Sequence, residues 1–118
     1  MIEIKTTFNP FKLRLKRKEP ITLSVELANT GKDTEIVSFE MNLGNQFSLE
    51  RTGFKNTLVE RLPKFEPGEK KKYYFDIWAK QAARTGEQPI RLRVTEHYNG
   101  FNYIKKKNDK TLHISVEG

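Results

Sequence analysis

The side chains able to do chemistry in this chain are few and scattered. There is no cysteine, which excludes a thiol nucleophile, Cys-ligated zinc, an iron–sulfur cluster and a disulfide between sheets. The two histidines, His97 and His113, stand 16 positions apart on the polar sides of alternating segments. If those segments pair, the two rings could meet, but a metal would need a third ligand such as Glu96 or Asp109. No ligand-spacing motif accompanies them, so neither a metal nor a cofactor is expected. Glu60, Glu66, Glu69, Asp76 and Glu96 could supply acid–base chemistry, yet nothing in their spacing puts two of them in one cleft. No serine sits in a Gly-x-Ser-x-Gly elbow. Gly44, Gly53, Gly68, Gly86 and Gly100 are isolated turn glycines rather than a phosphate loop. The chain reads as a non-enzyme with no evident small-molecule substrate.

Binding chemistry is better represented. Basic residues gather at Lys12-Arg14-Lys16-Arg17-Lys18, at Lys70-Lys71-Lys72 and at Lys105-Lys106-Lys107-Lys110. Lys12, Arg14 and Lys16 occupy every second position, so a strand would set them in a row about 6–7 Å apart. Arg91 and Arg93 repeat the spacing. Beside Tyr74 and Trp78, such rows would make a basic face with aromatic platforms, suited to single-stranded nucleic acid or another polyanion. The competing reading is protective, because lysines on edge strands block edge-to-edge aggregation. The formal charge of +7, from 22 Lys+Arg against 15 Asp+Glu, fits both an anionic partner and simple solubility. Tyr74 and Trp78 lie opposite Phe75 and Ile77 on their segment. Either a crossing loop, Arg51–Phe54, covers them, or they anchor a protein partner.

The elements that must position these groups are strands. In Glu19–Gly31, Ile21, Leu23, Val25 and Leu27 alternate with Thr22, Ser24, Glu26 and Ala28. That period of two buries one face and wets the other, and Asn29-Thr30-Gly31 stops it with turn chemistry. Met1–Phe8 alternates likewise until Asn9-Pro10. Phe11–Arg17 resumes, with Phe11, Leu13 and Leu15 against Lys12, Arg14 and Lys16. A proline is tolerated at a sheet edge, and the two halves of such a split strand are able to join different sheets. Glu35–Leu43, Phe47–Leu49, Leu58–Phe65, Lys70–Lys80, Ile90–Val94 and Leu112–Val116 are further strands. Pro63 demotes its segment to an edge strand or a connector, and Gln81–Gln88 has room for one helical turn. Arg51–Thr57 and Lys105–Lys110 read as loops. Pro67-Gly68 marks a turn. Asn99-Gly100 suits a two-residue turn that sets Tyr98 opposite Phe101.

A chain of 118 residues is one ordinary domain, here spanning 1–118. Hydrophobic residues at 36% and charged ones at 31% suit strands that each need one apolar face. The expected fold is all-β: an immunoglobulin-like sandwich of two antiparallel sheets with seven to nine strands. No apolar run approaches the roughly 20 residues of a membrane span. MIEIKTTF lacks a basic region followed by an apolar one, so a cytoplasmic location is expected, or export if this is an excised domain of a longer chain.

Three landmarks also resemble a known group. They are LANTG (Leu27–Gly31), LPKFEPGEKKKYYFDI (Leu62–Ile77) and GEQPIRLRV (Gly86–Val94), in that order. Together they look like the Ig-like accessory domains called CARDB or NEW3. The resemblance implies a non-catalytic binding or spacer domain and transfers no functional residue. The expected function is recognition of a protein partner, or self-association, through the Phe11–Arg17 edge (Phe11, Leu13) or the Tyr74 and Trp78 face. The alternative is polyanion binding through Lys12, Arg14, Lys16, Arg91, Arg93, Lys105, Lys106 and Lys107.

Overall fold

The clean alternation of Ile21–Asn29 forms strand β3, and the other strands assemble around it. Its Ile21, Leu23, Val25 and Leu27 are all buried, each stabilising the fold by about 1.5–3 kcal/mol relative to exposure. The computed structural model describes all residues from Met1 to Gly118. Along the chain lie β1 (Ile2–Asn9), β2 (Lys12–Arg14), a single 3-10 turn (Leu15–Arg17) and β3. β4 (Glu35–Asn42), β5 (Phe47–Ser48), β6 (Thr57–Phe65), β7 (Lys70–Ala79), β8 (Gly86–His97) and β9 (Ile104–Glu117) follow. No helix is long and apolar enough to cross a membrane.

Two sheets form, in the orders β1-β3-β7-β5 and β2-β9-β8-β4-β6. Read as letters, β1, β3 and β7 are A-B-E, with the short β5 beside E, and β2, β9, β8, β4 and β6 are A′-G-F-C-C′, an immunoglobulin-like arrangement. Every pairing is antiparallel except β2 with β9, which is parallel. Val37, Phe39 and Met41 of β4, Ile90, Leu92 and Val94 of β8, and Ile114 and Val116 of β9 meet the β3 row in one core.

Pro10 does split the first strand between sheets: β1 pairs with β3, and β2 pairs with β9. The second half is shorter than its alternation predicts. Only Lys12–Arg14 is strand; Leu15–Arg17 turns, and Lys18 takes left-handed angles (φ 52°). The alternation breaks because Leu15 is followed by three basic residues with no apolar partner to hold an extended path. Pro63 lies in β6, an edge strand as expected. Gln81–Thr85 holds no helix, only the bond from the Ala83 N–H to the Lys80 carbonyl.

Two other expectations are corrected. Lys105–Lys110 is not a loop but the first half of β9, paired along β8 from Ile104 onward. The turn before it is wider than two residues, since the Tyr98 N–H bonds the Tyr103 carbonyl at 3.0 Å. Asn99 and Gly100 both take positive φ as the dipeptide predicts, but Phe101 does not sit opposite Tyr98. Its ring packs edge-on against His97 with centroids 5.2 Å apart, and covering that buried ring draws it back.

Candidate functional site: the open edge of β7 and the groove at its end

β7 is the strand whose surroundings are incomplete. On one side it pairs with β3 from Lys70 to Ile77. On the other, β5 pairs only with Trp78 and Ala79. In an antiparallel pair, alternate residues direct their N–H and C=O groups away from the partner. From Lys70 to Ile77 those groups therefore face a side with no strand. β5 is short because Gly44-Asn45 precedes it and the turn at Glu50–Gly53 follows, so the place beside β7 is nearly vacant.

Aromatic rings close the interior where the strand is missing. Phe39 of β4 stacks on Tyr73 and Phe75 of β7, with centroids 6.0 and 6.1 Å away and planes within 21°. Burial, then the nearby charge of Glu60, pushes the Tyr73 hydroxyl above its ordinary pKa. On the outer face, Tyr74 is 65% exposed. Its cross-strand neighbour is Ser24, which is too small to cover it. Trp78 is half-buried, and the Arg51 guanidinium lies 5.9 Å from its ring centroid. The crossing loop thus covers Trp78 and leaves Tyr74 bare.

The Phe11–Arg17 edge offers much less. Leu13 is 1% exposed and belongs to the core, so its side chain reaches no partner. Phe11 is 70% exposed and lies outside the three-residue strand.

The basic residues do not converge on one face. Lys12 and Arg14 share Glu117 at 2.9 and 3.4 Å, so the Glu117 carboxyl lies below its usual pKa, chiefly through the Lys12 hydrogen bond. Arg93 donates to Asp109 at 2.6 Å. That bond lowers the Asp109 pKa and raises that of Arg93. Lys105 donates to the buried Glu35 at 3.1 Å, which raises the Lys105 pKa. Arg91 faces Thr111 and makes no ion pair. Lys16 sits on the 3-10 turn. Lys106 and Lys107 are exposed near the start of β9, whereas Lys12 is level with Ser115. Nine residues of strand separate Lys106 from Ser115, about 30 Å, so the first and last clusters occupy opposite ends of a molecule 47 Å long.

The histidines are also apart. His97 is level with Ile104, and His113 with Pro89. His97 is buried rather than on a wet face. Its Nδ1 lies 3.2 Å from the Tyr103 carbonyl and its Nε2 lies 2.7 Å from the Ser38 hydroxyl. A carbonyl only accepts, so Nδ1 carries the proton, and in the neutral ring Nε2 accepts from Ser38.

The incomplete edge of β7 was not legible from its own residues, since alternation is the same for paired and unpaired strands. The usable signal lay elsewhere, in the brevity of the Phe47–Leu49 segment.

No family model matches the chain, and no curated protein sequence matches it. Among solved structures, the putatively assigned ApaA protein of Bordetella pertussis is similar over 98% of this chain and 92% of that one, at 14% identity and a TM-score of 0.50. Bacteroides uniformis β-glucuronidase is similar over 96% of this chain, at 15% identity and a TM-score of 0.48. The chain spans 13% of the glucuronidase. At its identity, the likeness to the ApaA protein is one of fold alone.

Proposed function

We propose that this chain is a non-catalytic binding module that takes a protein partner as an added strand along the open edge of β7. The observation that carries the reading is the unpaired backbone from Lys70 to Ile77. Strand addition uses main-chain hydrogen bonds for affinity and the side chains on either face for selectivity. The exposed Tyr74 supplies an aromatic contact on the outer face. Lys70, Lys71 and Lys72 favour an acidic residue near one end of the partner strand. A second copy of the chain, pairing its own β7 in the antiparallel sense, would satisfy the same geometry. The CARDB/NEW3 resemblance of the Leu62–Ile77 segment supports the same class of role. Polyanion binding through the strand faces draws less support, because Lys12, Arg14, Arg93 and Lys105 already face carboxylates.

The test is site-specific photo-crosslinking in the producing cell, with the reactive residue at Lys71 or, as a control, at Arg91. Adducts to one discrete protein or to a second copy are expected from position 71 and not from position 91. Equal labelling from both positions, or none from position 71, would overturn the proposal.

A further inference from the structure

At the Trp78 end of β7, the segment Arg14–Glu19 faces the strand across a groove of about 380 Å³. Arg14, Lys18, Arg51, Lys80 and Trp78 line it, with Glu19 the one carboxylate. Lys18, Arg51 and Lys80 make no ion pair, and Arg14 shares Glu117 with Lys12. Unpaired cations also lie on the strand faces, Arg91 and Lys107 among them, but only here do three of them line one concave groove. Uncompensated charge in a concave site focuses the field and attracts anions. The volume falls within the roughly 300–1,000 Å³ of small-ligand sites.

From this groove we infer a binding site for a nucleoside phosphate, either a free nucleotide or one unit of a single strand. Two features together select that class. Lys18, Lys80 and Arg14 supply donors for phosphate oxygens. The Arg51 guanidinium lies over the Trp78 indole, and a base stacks on the outer plane of that guanidinium, with the indole beneath it. A carboxylate-rich peptide would engage the cations but leave that plane without a planar partner. Inorganic phosphate would do the same. The site stands apart from the strand-addition reading, which uses the backbone of Lys70–Ile77.

Trp78 is the only tryptophan, so its fluorescence reports on the groove directly. The experiment titrates the protein with AMP, with a short 5′-phosphorylated oligothymidylate, with inorganic phosphate and with an acidic peptide. Saturable quenching by AMP or by the oligothymidylate is expected, and which of the two binds more tightly identifies the source of the nucleotide. With one phosphate engaged, oligothymidylate affinity should fall about 3-fold between roughly 50 and 200 mM salt. Lys18→Asn combined with Lys80→Gln should weaken binding at least about 10-fold by removing two charge-assisted phosphate contacts. Asn tolerates the left-handed angles of position 18, and an unchanged melting temperature would show that the fold is intact. Lys107→Gln, at the other end, should leave affinity unchanged. Absence of quenching by both nucleotide probes at low salt would overturn the inference. So would tighter binding of the peptide or of inorganic phosphate, or full affinity in the double variant.

Discussion

β3 and β7 lie side by side in one sheet and carry the same alternation, yet they do different work. The inward row of β3, from Ile21 to Leu27, is buried throughout, with β1 on one side and β7 on the other. In the inward row of β7, only Ile77 is fully buried; Tyr73, Phe75 and Ala79 are half-covered. The two strands differ in their neighbours, not their patterns. Period-two patterning fixes which face of a strand is dry, but it carries no information about whether a second strand lies alongside. Where β7 lacks that strand, large rings substitute: the Phe39, Tyr73 and Phe75 stack closes the side of the sandwich.

The sharpest way to break the comparison is to put the same charge on each strand. Val25→Asp places a carboxylate among the buried residues of β3, with no partner to offset its desolvation. The variant should fail to fold cooperatively. Tyr74→Asp, on the exposed face of β7, should melt within about 0.5 kcal/mol of the parent. Denaturant unfolding of both measures the contrast. A soluble, cooperatively melting Val25→Asp would mean that β3 is not central.

A smaller effect separates the core ring from its half-covered neighbour. Phe39 is fully buried between the sheets, so Phe39→Ala should cost about 3–5 kcal/mol. Phe75→Ala removes a ring that solvent already reaches, so its cost should be about half that or less, because less apolar area returns to water. Equal losses would show that β7 is as well covered as β3 and would weaken the idea of an open edge.

The nine strands were largely legible in the sequence because turn residues and alternation act locally. Glu66-Pro67-Gly68-Glu69 illustrates this: Gly68 takes φ +79°, and the Glu69 N–H bonds the Glu66 carbonyl. Contacts between distant segments were not legible. Alternation alone extends Phe11–Arg17 to seven residues, but the parallel pairing with β9 ends at Arg14. His97 sits on the side of β8 opposite Leu92 and Val94, yet Phe101 and Ser38 bury it. The groove at Trp78 joins Arg14 and Lys18 to Arg51 and Lys80, residues from three separate segments that no spacing rule connects. Asn29 was legible as a strand stop but not as a hub. Its side chain donates to the Asp33 and Phe65 carbonyls and accepts from the Gly31 N–H, tying two loops to β3.

The two sheets should also part company in acid. Charged contacts concentrate on β9, where Asp109 meets Arg93 of β8 and Glu117 meets Lys12 of β2. No ion pair links β3 to β7, whose side-chain contact is the Thr22 hydroxyl donating to Asp76 at 3.0 Å. The Asp109 and Glu117 pKa values are both lowered from their ordinary 3.8 and 4.5. A carboxylate whose folded pKa is depressed contributes stability that is fully present above its ordinary value. That stability is lost as pH falls through the folded value. The effect is the smallest of the three, because both groups are exposed and screened. Below pH 3.8, amide exchange should therefore rise first in β9 and its β2 and β8 partners, while β3 and its bonds to β7 stay protected. Asp109→Asn combined with Glu117→Gln should remove the difference by weakening β9 at neutral pH and flattening its response to acid. If β7 opens before β9 in the parent protein, backbone exposure along the unpaired edge outweighs the loss of ion pairs. The open edge would then be the less stable of the two regions as well as the less covered.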